Sequence, residues 1–327
     1  PVQYRGVLAE HNAVRNAAGL FDISHMGRVL VRGADASKYL QYVATCDVDA
    51  IPPGQSSYGL LCYPSGGIVD DIFIYRLPDE YMVVINAANR QKDWDWMQQH
   101  ISGFDVELVN ASDHWAMLAL QGPEAETLLA QTSDVQFAGT TAQELPFHAI
   151  ARGHIFGAEG WIARTGYTGE DGFELFFDAT AAATVWDGLL NLGTVEPCGL
   201  GARDSLRFEP CLALYGHEIS DDINPYEARL GWVVKLEAGD FVGREALARI
   251  KQEGVTRKLV GFEMVGRGIA RAEYPIHGRD GAPIGVVTTG MHAPTLGKPY
   301  GLGYVPTDLS KAGSEFDVMI RNKPIRA

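Results

Sequence analysis

Apolar and polar positions along the chain change period repeatedly, and each change marks an element. Residues 5–19 place Val7, Leu8, His11, Val14 and Ala18 on one helical face, with Gly19 as the stop. The following FDISHMGRVLVRG has a period of two, sets Val29 and Val31 against Arg28 and Arg32, and predicts a strand. Residues 34–44 return to helical spacing, with Asp35 near the cap and Tyr39, Leu40 and Val43 inward. SSYGLLCY, a turn at PSGG (64–67), IVDDIFIYRL and EYMVVINA then predict three apolar strands in succession. A helix over about 93–101 carries Trp94, Met97 and Ile101, and Trp94 and Trp96 read as packing residues.

A second cycle follows. WAMLALQGP predicts a strand, PEAETLLAQ a helix, HIFGAEGWIART and FELFFD strands, and ATAAATVWDGLLNLG a helix. Hairpins joined by single helices favour an α+β architecture over a parallel α/β sheet, and no strict repeat period appears. AGDFVGREALARIKQEGVT (238–256) predicts a helix that holds a domain boundary, so the expected division is 1–237 and 254–327. After it KLVGFEMV, AEYPIHG, PIGVVTTG, GLGYVP and SEFDVMIR, punctuated by Gly and Pro, predict a small antiparallel β domain or barrel.

Composition narrows the function. A chain of 327 residues with 46% hydrophobic and 21% charged residues buries real cores and is not intrinsically disordered. No apolar run approaches the ~20 residues of a membrane span, and PVQYRGVLAEHN lacks a signal-peptide pattern, so a cytoplasmic location is expected. A net charge of -14 argues against sequence-independent nucleic-acid binding. The sign is uneven: residues 254–327 hold 10 Lys and Arg against 6 Asp and Glu, a net of +4, and residues 1–253 carry -18. Cys46, Cys62, Cys198 and Cys211 never form C-x-x-C and lack a His cluster, so buried reduced thiols are expected rather than disulfides or zinc.

Generic nucleotide and hydrolase motifs fail. Gly199-Leu-Gly201-Ala-Arg-Asp lacks a third glycine, Gly290 to Gly297-Lys298 is spaced wrongly for a P-loop, and no G-x-S-x-G exists beside Ser24-His25. Four polar clusters in apolar or glycine-rich sequence remain. In GGIVDDIFIY, strand alternation sends Asp70 and Asp71 to opposite faces, and the one aligned with Phe73 and Tyr75 should be desolvated with a raised pKa. In RTGYTGEDGFEL, Glu174 lies between Phe173 and Leu175 and needs two donors, which a structural ion pair or the amidine-like edge of a heterocycle would supply. Glu170 and Asp171 read as solvated or capping turn residues. CGLGARDSLRFE sets Arg203 and Arg207 at i and i+4, either as a guanidinium pair for carboxylates or as a salt-bridge ladder with Asp204 and Glu209. NPYEARLGWVVK holds Tyr226 and Trp232, read mainly as core aromatics.

FDISHMG, GGIVDDIFIY, VINAAN, ALQGPEA, ARTGYTGEDGFEL, GLGARDSLR, LYGHEI, NPYEARLGWVVK and PTLGK, in this order and nearly end to end, resemble the glycine cleavage T-protein family. Two departures stand out. Family members carry some residues before the position of Pro1 and a terminal strand beyond Ala327, so both ends are expected to be truncated, and Pro210 stands where an alanine is common, which would end the helix there. The resemblance implies a three-domain cloverleaf around a central folate site, with a small antiparallel β domain at the C-terminus. It implies an aminomethyltransferase that takes the aminomethyl group from the lipoyl arm of H-protein, releases ammonia and gives 5,10-methylenetetrahydrofolate. By position, the catalytic carboxylate is Asp71, the folate contacts are Met26, Tyr58, Asn86, Tyr167, Glu174 and Arg203, and lesser candidates are Asn89 and Trp232. Tetrahydrofolate is the implied co-substrate, with no metal, nicotinamide or flavin, no membrane and no nucleic acid; the implied compartment is cytoplasmic, or the mitochondrial matrix in a eukaryote.

Two alternatives share the fold: another tetrahydrofolate-dependent demethylase, and a non-catalytic folate-binding iron–sulfur assembly factor, whose K-G-C-Y-x-G-Q-E block has no counterpart here. Because both implied ligands are anionic and the body is acidic, the partner contact is expected to draw on local cations such as Lys258, Arg267 or Lys298.

Overall fold

The computed structural model describes all 327 residues. The first third comprises α1 (Val7–Asn16), β1 (Ala18–Asp22), β2 (Gly27–Arg32), α2 (Ala36–Val43), β3 (Ser56–Cys62), β4 (Ile68–Arg76), β5 (Tyr81–Ile85), α3 (Arg90–Gln99) and β6 (Glu107–Asn110). The middle comprises β7 (Trp115–Gln121), α4 (Ala125–Gln131), β8 (Val135–Phe137), β9 (Ile150–Ile155), β10 (Ala158–Ala163), β11 (Gly172–Asp178), α5 (Ala182–Leu190), β12 (Val195–Cys198) and α6 (Leu200–Phe208). The remainder comprises α7 (Arg244–Glu253), β13 (Arg257–Glu263), β14 (Pro275–His277), β15 (Pro283–Ala293), β16 (Lys298–Pro306), β17 (Asp317–Ile320) and β18 (Lys323–Arg326).

Three sheets result: β3-β4-β5-β2-β6, β12-β1-β7-β11-β10-β9-β8, and β13-β16-β15-β14-β17-β18. All pairings are antiparallel except β1 with β12. The expected α+β architecture with a C-terminal antiparallel sheet is therefore present. β1 leaves the first third to pair inside the second sheet, which interleaves the two units. Phe21, Leu30, Tyr75, Met117, Phe176 and Leu206 form the apolar seam between them. The third sheet attaches through a different core, in which Leu259, Leu302 and Tyr304 meet Leu60 and Ile68 of the first sheet and Leu247 of α7. Two seams thus leave the sheets splayed about a shared centre.

Four local expectations change. The strand expected over 21–33 breaks into β1 and β2, because Asp22 Oδ1 accepts Ser24 N–H at 3.0 Å and a turn closes from Met26 N to Ile23 O. Arg28, expected to face outward, is fully buried; its guanidinium donates to the carbonyls of Ser24, Met26, Ser112 and Trp115, which offsets the cost of desolvating it. α1 ends at Asn16, Ala18 belongs to β1, and Leu8 is exposed. Cys211 is also exposed, although the other three thiols are buried and all four are free. β6, β8, β12 and β18, of three or four residues each, are too short to show a period and were not foreseen.

The β3–β4 hairpin is held by a close backbone approach. A Cβ on Gly67 would lie 1.9 Å from the Asp221 carbonyl oxygen, and Ile68 N–H bonds Ile223 O at 3.0 Å. Gly67→Ala is expected to destabilise the fold by about 1–3 kcal/mol in denaturant unfolding. An unchanged midpoint would show that the 221–223 segment moves away at no cost.

Candidate active site

The three sheets enclose one cavity of about 1700 Å³. β4 supplies its acidic wall: alternation turns Asp71, Phe73 and Tyr75 toward the cavity while Asp70 is fully buried on the other side. A bulge in β4, where Leu61 opposes Asp70 and Cys62 opposes Ile68, adjusts this end of the strand beyond its pairing with β5. Asp71 Oδ2 accepts from Tyr58 Oη–H of β3 at 3.1 Å, and Oδ1 accepts from Asn86 Nδ2–H, just after β5, at 2.7 Å. Asn86 Nδ2 also reaches Asp70 Oδ1 at 3.0 Å. Burial foremost, and the adjacent Asp70 next, push the Asp71 carboxyl up to about 7 despite its two donors.

Glu174 enters from the second sheet on β11 and is buried. Thr165 Oγ1–H and Tyr75 Oη–H both donate to its Oε2, at 2.6 and 3.1 Å. Arg203 enters from α6 with its guanidinium 4.8 Å from the Tyr167 ring centre. One of its terminal nitrogens, Nη1, is buried with no hydrogen-bond partner, and burial pulls the guanidinium below its ordinary value. Tyr167 is held by its hydroxyl, which donates to Ala213 O. Met26 completes the set on the wall. All seven candidate residues (Met26, Tyr58, Asp71, Asn86, Tyr167, Glu174 and Arg203) therefore line this one cavity, as do Asn89 and Trp232.

Other expectations are corrected. Arg203 and Arg207 do not form a guanidinium pair: Arg207 is fully buried and bonded to Glu218, Asp204, Leu212 O and Thr289. Glu209 turns the opposite way, to Arg15 at 2.8 Å and His11 at 3.5 Å. Glu170 pairs with Arg15 and Asp171 with Arg164, so neither is merely a solvated turn residue. Trp232 is not a core aromatic; it is 62% exposed and stacks on Tyr58 with ring centres 5.9 Å apart. Lys298, one of the expected partner-side cations, remains exposed while pairing with Glu263 at 2.7 Å, which is compatible with that expectation. Sequence reasoning missed Thr165, which sits in a quoted block but whose hydroxyl role depends on β11 crossing beside it. It also missed Asp93, whose surroundings KDWDW look like a polar surface turn of helix.

An aromatic cavity with a carboxyl poised near neutrality, a hydroxyl-held buried carboxylate and an unpaired guanidinium suits a planar heterocycle bearing an anionic part. No group of three or more His, Cys, Asp or Glu side chains is arranged to hold a metal ion, and no helix is long and apolar enough to cross a membrane.

Comparison with known proteins identifies the family. Residues 1–238 match the GCVT N-terminal domain, and residues 257–327 match the glycine cleavage T-protein C-terminal barrel domain. The chain is 57% identical over 328 residues to an aminomethyltransferase of Herpetosiphon aurantiacus, covering all of this chain and 89% of that protein. It is 46% identical over 332 residues to one of Desulforamulus reducens, with the same coverage. The crystal structure of glycine cleavage system aminomethyltransferase T from Bartonella henselae superposes with a TM-score of 0.92 at 37% identity, covering all of this chain and 89% of that one. A folate-dependent demethylase and an iron–sulfur assembly factor find no support in these comparisons. Two family domains in sequence, end-to-end identity to aminomethyltransferases and a shared fold place this chain in the glycine cleavage T-protein family of aminomethyltransferases.

Proposed function

We propose that the cavity binds tetrahydrofolate and that Asp71 is the carboxylate that handles the proton of aminomethyl transfer from a lipoylated H-protein. The observation carrying this reading is the convergence of Asp71, Glu174 and Arg203 from three elements on a single cavity. The fit is chemical. Both hydroxyl donors of Glu174 bind Oε2, which leaves Oε1 for the amino and N–H edge of a pterin. The unpartnered Arg203 nitrogen is a ready donor to an anionic or carbonyl group of the same ligand. Tyr58, Tyr167 and Trp232 offer apolar faces to its aromatic rings.

Bound tetrahydrofolate supplies the nitrogen that receives the one-carbon unit. The chain's residues supply the rest. Glu174 and Arg203 fix the folate, and its orientation against the incoming carbon supplies most of the acceleration, since effective molarities reach ~10^5 M or more. The Asp71 carboxylate stabilises the cationic carbon as the protonated amine departs as ammonia with the C–N electron pair, and then accepts the proton of the attacking nitrogen. The C–S bond breaks with its electron pair on the lipoyl sulfur, which leaves as the thiol with the second folate nitrogen's proton. Tyr58 and Asn86 aim the carboxylate by binding one oxygen each.

The test is the pH dependence of ammonia release from aminomethylated H-protein in the presence of tetrahydrofolate. Asp71 must be ionised to accept a proton, so kcat/KM should rise with pH through about 7. The Tyr58 hydrogen bond favours the ionised carboxylate, so its removal raises the Asp71 pKa. In Tyr58→Phe the acid limb should therefore move to higher pH. A limb that stays in place in Tyr58→Phe, or a profile flat across neutrality, would remove Asp71 from this role.

A further inference from the structure

On the side of β4 turned away from the cavity, Asp70 meets Asp93 of α3. Both residues have no solvent exposure, and the two carboxyls lie within hydrogen-bonding reach of each other. Neither oxygen of Asp93 has a donor from any other group, and neither does Asp70 Oδ2. The donor that reaches the pair is Asn86 Nδ2, on Asp70 Oδ1. The nearest cation does not neutralise it: Lys92 directs Nζ to Val69 O at 2.6 Å and lies over the Tyr215 ring, with Asp221 3.7 Å away. The other titratable groups facing the pair are Asp71 on β4, Tyr58 and Tyr63 from β3 and its turn, and Tyr215, none of which carries positive charge.

Two carboxylates in contact in a dry site repel each other by more than hydrogen bonding elsewhere can offset. One proton between them converts the clash into an O–H···O⁻ bond and gives the unpartnered oxygens a donor. We propose that Asp93 is a buried carboxylic acid that shares one proton with Asp70, and that through Asp70 and Asn86 it positions Asp71. The inference rests on the role assigned to Asp71 above. Asn86 Nδ2 shares its two N–H groups among Asp70 Oδ1 at 3.0 Å, Asp71 Oδ1 at 2.7 Å and Asp71 O at 3.2 Å, so the charge and donors of the pair decide how firmly Asp71 is held. A singly charged pair balances the two bonds, whereas a doubly charged pair would draw Asn86 away and add repulsion to Asp71. Burial foremost, and then Asp70, push Asp93 up to about 10, in the direction this arrangement requires.

The proton is read directly by infrared spectroscopy on protein labelled with ¹³C-aspartate, at a pH of about 8.5 where Asp71 is ionised. Wild type should show a protonated-carboxyl carbonyl band. Asp71→Asn should keep it, and Asp93→Asn should lack it. Because the band is read in Asp71→Asn as well, failure of this proposal is separable from failure of the catalytic assignment.

Linkage supplies a second reading. The folded state holds a proton that the unfolded chain releases near the ordinary aspartate value, so wild-type stability should fall as pH rises from about 5 toward 10. Asp93→Asn should flatten that decline. In turnover, Asp93→Ala leaves the Asp70 carboxylate without its O–H donor and dependent on Asn86, which it draws from Asp71. The change should therefore lower kcat about tenfold with the KM for tetrahydrofolate within about twofold. Asp93→Asn, which still donates to Asp70, should recover most of that loss. The proposal is overturned by a wild type without the band, by a band that survives in Asp93→Asn, or by Asp93→Asn as impaired as Asp93→Ala. Should Asp93→Ala not fold, the band and the stability slopes of wild type and Asp93→Asn decide alone.

Discussion

Asp71→Ala is expected to slow ammonia release by about 10^3-fold, within the 10^2–10^4 range of a positioned general base, with additional loss if its charge stabilises the developing cation. On the folate site proposed above, the KM for tetrahydrofolate should change little, because its proposed holders Glu174 and Arg203 lie on other walls of the cavity. Asp71→Asn separates shape from charge. It preserves a side chain that Tyr58 and Asn86 can engage, yet it cannot take up the proton, so it should be nearly as slow as Asp71→Ala. Neither variant should be less stable than wild type near neutral pH, since each removes a carboxyl that burial and Asp70 already disfavour in its charged form. Unchanged turnover in a folded Asp71→Asn enzyme would exclude this carboxyl from the mechanism.

The largest stability effect should come from Arg207. Its Nη1 lies 2.6 Å from Glu218 Oε2, and both side chains are fully buried. The same guanidinium bonds Asp204 at 2.8 Å, Leu212 O at 3.2 Å and Thr289 Oγ1 at 3.2 Å, so it fastens α6 to β15 of the C-terminal sheet. Glu218 Oε1 accepts from Thr288 and Thr289 at 2.7 and 2.6 Å. Arg207→Met leaves the Glu218 charge buried without its cation and should cost about 3–5 kcal/mol in denaturant unfolding. The double variant Arg207→Met with Glu218→Met should recover a substantial part of that loss, because a buried ion pair is often replaceable by apolar side chains of similar volume. A single variant within about 1 kcal/mol of wild type would mean that water reaches Glu218 and that the pair is not a staple.

The seam matters for the site as well as for stability. Arg203 lies one turn before Arg207 on α6, so loosening the staple should also blunt folate binding through a helix that no longer presents Arg203.

Much of the architecture was legible along the chain. The two-residue period of IVDDIFIY put Asp71 on the face of Phe73 and Tyr75, and the structure places those three side chains on the cavity. RTGYTGEDGFEL set Glu174 within an apolar strand, where a carboxylate must find donors. Residues that share an element share a face by geometry alone, so alternation and helical spacing carry this information without knowledge of the neighbours. Burial and partner choice are a different matter. Arg203 and Arg207 have the same residue type and lie on the same helix, yet one has an unpartnered nitrogen beside the cavity and the other is saturated by groups up to 82 positions away.

Hydrophobic periodicity, turn residues and ordered motif blocks thus determined the α+β class, most elements and the family, because those depend on residues close together in the chain. Only the tertiary structure decided that Arg28 is buried, that Trp232 stacks at the cavity rather than in a core, and that Asp93 backs Asp70. Each of these follows from where separate elements cross, and the cost of desolvating a charge depends on which distant donor or acceptor is waiting at that crossing.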